Sequence, residues 1–204
     1  MKQRIVLIIT LSLFVHASVI AQKNMSTQSS TPSPVRQLTI EPGIGLHSNF
    51  GTDFLIANLI QWNPNKRLSL ASHTSYNINN PAQRKFNGIK TNHDYSINQK
   101  FGVGTSFYSK RSSNTFMLMA GFKYTSFQET LINPDGNQVT ASINSLSPDY
   151  GMMYSLKKGV KKYFFSFRVY VPIYPWPVKD VEIHASDGNM NNIALEFGIG
   201  IKIK

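Results

Sequence analysis

The side chains able to do chemistry in this chain of 204 residues begin with its histidines. His47, His93 and His184, with Asp94 and Glu182 near them in sequence, offer the imidazole and carboxylate groups that zinc or copper would take. Their spacing is not that of a metal motif, so no metal or other cofactor is expected. Ser48 stands beside His47, the pairing that nucleophilic hydrolysis of a lipid ester would use. No acid is marked to orient that histidine and serine is abundant throughout, so no enzyme is expected. Cysteine is absent, which excludes a thiol nucleophile, a Cys-ligated metal site, a disulfide scaffold and a lipid-modified N-terminal Cys. A further set comprises Glu41, His73, Asp94, Lys100, Lys123, Asp149, Arg168, Glu196 and Lys202. Its meaning depends on the elements that carry it.

From Leu38 onward helical periodicity is nearly absent, and apolar and polar residues alternate instead. Eight such runs are predicted as strands: 38–47, 53–62, 67–78, 92–109, 115–131, 138–156, 162–173 and 192–203. Short or basic turns at 63–66, 110–114 and 156–161 alternate with connections at 79–91, 132–137 and 174–191, which are mostly longer. The connection at 48–52 is short for its side. Charged residues make up only 15% of the chain, below the roughly 25% of soluble domains, while hydrophobic residues reach 41%. An even number of alternating strands, with short turns at one end and longer loops at the other, implies an eight-stranded antiparallel up-and-down transmembrane β-barrel.

The faces test that plan. In 92–109, Tyr95, Ile97, Gln99, Phe101, Val103 and Phe107 oppose Asp94, Ser96, Asn98, Lys100 and Ser106. A charge facing lipid near the bilayer midplane costs ~2–4 kcal/mol, so Lys100, Lys123, Arg168 and Glu196 must all lie on the polar side, and the alternation puts them there. Gly43, Gly45, Gly102, Gly104, Gly121, Gly151, Gly198 and Gly200 share that side. Glycine relieves crowding inside a small barrel and permits curvature, whereas on a water-facing sheet it gains nothing. Run 53–62 resists assignment: Phe54, Ile56, Ile60 and Trp62 align with Asn58, and Leu55, Ala57 and Leu59 align with Gln61. A bulge is one reading. Eight strands leave an interior just wide enough for side chains to fill it. Glu41, His73, Lys100, Lys123, Asp149, Arg168 and Glu196 are therefore expected to form a polar network in the lumen that holds the core. Arg168 and Glu196 are expected to pair across neighbouring strands. A narrow ion or proton path is the alternative reading of the same residues.

The formal net charge is +11. Lys66, Arg67, Lys110, Arg111, Lys157, Lys158, Lys161, Lys162, Lys202 and Lys204 are assigned to the short-turn end, where they would meet anionic headgroups. Nucleic acid would require exposed aromatics among them and is not an expected partner. At the N-terminus, Lys2 and Arg4 precede an apolar run over 5–15 and small residues up to Ala21. That order predicts a cleaved secretory signal peptide over 1–21. A Ser-, Thr- and Pro-rich flexible lead is predicted over 22–37 and the barrel over 38–204.

The last run reads Glu196-Phe197-Gly198-Ile199-Gly200-Ile201-Lys202-Ile203. In its order of polar, glycine and alternating apolar positions it resembles the C-terminal assembly signal of the small outer-membrane β-barrel proteins of Gram-negative bacteria, eight-stranded type. It departs in using Ile where many members have Phe or Tyr, and in adding Lys204. Trp62–Leu70 is similar to a turn between two strands of that family. The resemblance implies location in the outer membrane. Its implied partners are outer-membrane lipids, lipopolysaccharide and, through the last strand, the barrel-assembly machinery. It also implies a structural, anchoring or surface-interaction role. Two alternatives stand beside it: a secreted soluble β-barrel holding a small ligand, and a lipid-modifying enzyme acting at the barrel rim. The first would need polar residues where Phe101, Phe116, Phe122, Phe165, Phe167 and Phe197 stand.

Overall fold

Period-two alternation turns successive side chains to opposite faces of an extended chain, and the backbone realises it in the described strands. The computed structural model describes residues 36–47, 54–78, 89–109, 111–132, 135–159, 162–173 and 193–203. Eight strands run in order: β1 (Gln37–His47), β2 (Phe54–Asn63), β3 (Leu68–Ile78), β4 (Ile89–Tyr108), β5 (Ser112–Ile132), β6 (Gln138–Lys158), β7 (Tyr163–Pro172) and β8 (Ala194–Ile203). Each pairs antiparallel with its sequence neighbour, and β8 returns to β1 to close the barrel. The strand ends differ from the sequence reading by a few residues. Gln37 belongs to β1 rather than to the lead, and β4 and β5 begin three residues earlier than expected. The predicted signal peptide and residues 22–35 of the lead lie outside the described residues.

The two faces of the wall are chemically opposite. Phe101, Leu118, Phe122, Phe165 and Phe197 point outward, with Phe165 71% exposed. Inward lie Glu41, His73, Lys100, Lys123, Asp149, Arg168 and Glu196, all buried. Run 53–62 is resolved without a bulge, since its pairing with β1 and β3 is unbroken. Leu55, Ala57, Leu59 and Gln61 face inward and Phe54, Ile56, Asn58, Ile60 and Trp62 outward. Both faces of β2 are apolar because part of the lumen is itself apolar: Leu55 and Leu59 meet Met117, Met119 and Met153 there. A register shift lies instead in β4, between Thr91 and His93.

Inward glycines make room for long neighbours. A Cβ on Gly43 would stand 2.6 Å from Arg168 Nη2, and one on Gly200 would meet the Phe164 ring. Small positions opposite large ones let a narrow barrel fill its interior.

Strand lengths are unequal. Among the described residues, β3 pairs with β4 as far as Ile78 and Tyr95, and β6 pairs with β7 as far as Gly151 and Pro172. Beyond those points, among the described residues, β4, β5 and β6 continue together as a sheet. Its β5–β6 turn carries Gly136 at φ 80°, a conformation that L side chains rarely adopt. At the closing seam, pairing of β1 with β8 runs from Leu38 to Ile40, lapses at Glu41 and Pro42, and resumes at Gly43. Proline has no N–H to give to a ladder.

Candidate functional site

The barrel lumen gathers the buried ionisable groups, and strand register decides which of them meet. Arg168 on β7 and Glu196 on β8 are direct cross-strand partners. Arg168 Nε donates to Glu196 Oε2 at 2.7 Å, and its Nη1 donates to the Glu41 backbone oxygen at 2.8 Å. Glu41 Oε2 lies 3.9 Å from the same Nη1. On the other side of Glu196, His73 Nε2 stands 3.0 Å from Oε1. Lys157 reaches across the lumen from β6 and forms an ion pair with Glu41. It also donates to Thr39 Oγ1 at 3.0 Å. One chain of contacts thus links β1, β3, β6, β7 and β8.

A second cluster ties β4, β6 and β7. Lys100 Nζ donates to Asp149 Oδ2 at 2.6 Å, and the Tyr170 hydroxyl donates to Asp149 Oδ1 at 2.5 Å. The Lys100 ammonium also sits 3.9 Å from the Tyr170 ring centroid, within cation–π range. Lys123 is buried on β5 two residues beyond Gly121, the cross-strand partner of Asp149.

Toward the short-turn end an amide and hydroxyl cluster joins β2, β3 and β5 inside the lumen. Gln61 Nε2 lies 3.1 Å from Asn63 Oδ1, 3.2 Å from Ser69 Oγ and 3.3 Å from Thr115 Oγ1. Asn63 Nδ2 donates to Ser69 Oγ at 2.7 Å.

The arrangement braces the barrel across its width. Opposite charges neutralise one another, and a buried pair that loses one partner costs ~3–5 kcal/mol. All seven residues of the expected network are inside: Glu41, His73, Arg168 and Glu196 in the first cluster, Lys100 and Asp149 in the second, with Lys123 beside it. Lys202, also expected inside, is half-buried at the rim. Lys157 corrects the sequence reading. It was assigned to the basic turns, yet it is buried against Glu41 with 7% of its surface exposed. Its even spacing from Asp149, Gly151 and Ser155 was the available signal. Tyr170, Thr39 and Gln61 were not anticipated as members. The side chains of Asp94, His47 and His93, and all of Ser48, Glu182 and His184, lie outside the described residues. Among the described residues no three His, Cys, Asp or Glu side chains are grouped to hold a metal.

No family model matches the chain, and no curated protein does. Solved structures similar to it include the N-terminal β-barrel domain of Pseudomonas aeruginosa OprF, at 13% identity and TM-score 0.47, covering 83% of this chain and 98% of that one. Another is Ail, the attachment invasion locus protein of Yersinia pestis, in complex with the heparin analogue sucrose octasulfate. It is 8% identical with a TM-score of 0.43, covering 83% of this chain and 100% of that one. Neisserial surface protein A is 14% identical with a TM-score of 0.42, covering 82% and 94% respectively.

Proposed function

We propose that this chain is an integral outer-membrane β-barrel, non-catalytic, with a structural, anchoring or surface-interaction role. The carrying observation is the inversion of its two faces. Charged Arg168 and Glu41 are wholly buried while Phe122, Phe165 and Phe197 are mostly exposed. In water each exposed apolar side chain would forgo about 25 cal/mol per Å2 of burial. In a bilayer that penalty is absent, and the closed ladder leaves no unpaired edge for lipid.

The orientation follows from charge. Lys66, Arg67, Arg111, Lys158 and Lys162 are exposed at the short-turn end. Facing the periplasm, they would contact anionic phospholipid at ~1 kcal/mol per basic group. The extended β4–β6 sheet would then stand on the outer side, among lipopolysaccharide, and is the natural surface for contacts outside the cell. The outward Phe197, Ile199, Ile201 and Ile203 of β8 are what the barrel-assembly machinery would read. The lumen supports a plug rather than a ligand pocket, since Arg168, Leu55, Leu59 and Met119 fill it.

Membrane fractionation with a heat-modifiability gel tests this. The expected result is recovery with outer membranes and a mobility shift on boiling. Recovery of the chain in the soluble fraction without detergent would overturn the proposal.

A further inference from the structure

The turn between β2 and β3 holds two cations on a fixed backbone. Asn65 Oδ1 accepts from the backbone N–H of Arg67 at 2.9 Å and of Leu68 at 2.8 Å, an Asx turn. The Ser106 N–H donates to the Arg67 carbonyl at 2.8 Å and ties the turn to β4. The Lys66 and Arg67 side chains are themselves exposed. Beside them lies a shallow recess of about 520 Å3, lined by Asn65, Lys66, Arg67, Leu68, Gly104 and Thr105. Leu68 and Thr105 are cross-strand partners on the outward face. Leu70 and Val103 continue that face away from the turn. Trp62, the cross-strand partner of Leu70, stands beside them and is exposed.

The recess thus joins two cations to an apolar strip of wall. Among the described residues neither Lys66 nor Arg67 is ion-paired. Of the acids whose side chains are described, Glu41, Asp149 and Glu196 are buried inside, and Asp135 lies at the β5–β6 turn, at the other end. Cations so placed call for an anion, and guanidinium matches phosphate best. The strip next to them calls for hydrocarbon. A soluble anion meets only the first need. An anionic phospholipid meets both, with its phosphate at Lys66 and Arg67 and an acyl chain along Leu68, Leu70 and Val103. Trp62 suits the same level, since tryptophan favours the membrane–water interface. We infer that the β2–β3 turn and its recess bind one anionic phospholipid of the periplasmic leaflet. This rests on the membrane reading above and goes beyond the general attraction of a basic rim.

Trp62 reports on the site. Trp176→Phe serves as background, which leaves Trp62 as the remaining tryptophan. The protein is refolded into phosphatidylcholine vesicles containing a small share of phosphatidylglycerol. Bromine is carried near the headgroup end of the acyl chains, either on the phosphatidylglycerol or on an equal share of the phosphatidylcholine. Insertion is scored separately by heat modifiability. Brominated phosphatidylglycerol should quench Trp62 several-fold more strongly, with a local enrichment of about fivefold per basic group. Lys66→Gln with Arg67→Gln should remove the preference. Asn65→Ala keeps both charges but frees the turn, and should lower the preference by about half. In an inserted protein, equal quenching by the two brominated lipids overturns the site and leaves the membrane reading intact. A preference that N65A leaves unchanged also overturns it, because charge on a loose rim would then suffice. A chain that never inserts overturns both.

Discussion

Arg168 concentrates the energetics of the lumen in one side chain. Its guanidinium is wholly buried, holds Glu196 and the Glu41 backbone, and occupies the space that Gly43 leaves open. Arg168→Met strands Glu196 with only His73, and Glu196→Gln leaves the guanidinium without its carboxylate. Each single change should cost ~3–5 kcal/mol. The double change should cost less than their sum, by a coupling of ~1–3 kcal/mol. Urea unfolding in lipid vesicles measures this, and a strictly additive cycle would show that the contact contributes nothing. The pair was legible beforehand because both residues sit on polar faces of adjacent strands at similar distance from the turn. Lys157 was not read correctly, because its neighbours Lys158, Lys161 and Lys162 give it the look of a solvated run. The alternation that turns it inward is local to β6 and is easily outweighed by such a cluster.

At the level of strands, alternation was readable wherever one face was polar, as in β4, β7 and β8. It failed in β2, where the lumen side is Leu55, Ala57 and Leu59. A barrel interior that is partly apolar removes the contrast on which the period-two signal depends, and Asn58 on the outward face removed what was left. The wall itself makes a depth prediction. Phe122 projects from the barrel portion of β5, whereas Gln128 lies beyond the last described β3–β4 pair. Phe122→Arg should lower folding yield in vesicles by an amount equivalent to ~2–4 kcal/mol, and Gln128→Arg by ~0–1 kcal/mol. Equal yields would place the bilayer elsewhere on the strand.

For the molecule as a whole, eight strands and a side-chain-filled interior leave little room for flow. Purified protein in planar bilayers is expected to show no large, steady conductance. A reproducible large pore would mean that the Lys157–Glu41–Arg168–Glu196 chain does not close the lumen. Strand number, topology and the inside-out distribution of charge were all legible in the sequence, because each follows from repeated alternation. Which side chains meet across the lumen was not, since contacts such as Lys157 with Glu41 depend on strand stagger that no local pattern records.

The interrupted seam at Pro42 also bears on how the barrel comes into being. Every pairing but one joins sequence neighbours. The exception brings Leu38 against Ile203 and must wait until the rest is assembled, because closing so long a stretch of chain is entropically costly before other contacts hold it. Placing a residue without an N–H in that last ladder leaves the slowest-forming line of the wall also an interrupted one. Amide hydrogen exchange should therefore be fastest, among ladder positions, around Glu41 and Gly200, and slowest along the β5–β6 pair. Protection at the seam equal to that of β5–β6 would show that closure is not the final step. If exchange is faster there, the β1–β8 line is the gate through which the sheet zips shut and through which it would first come undone.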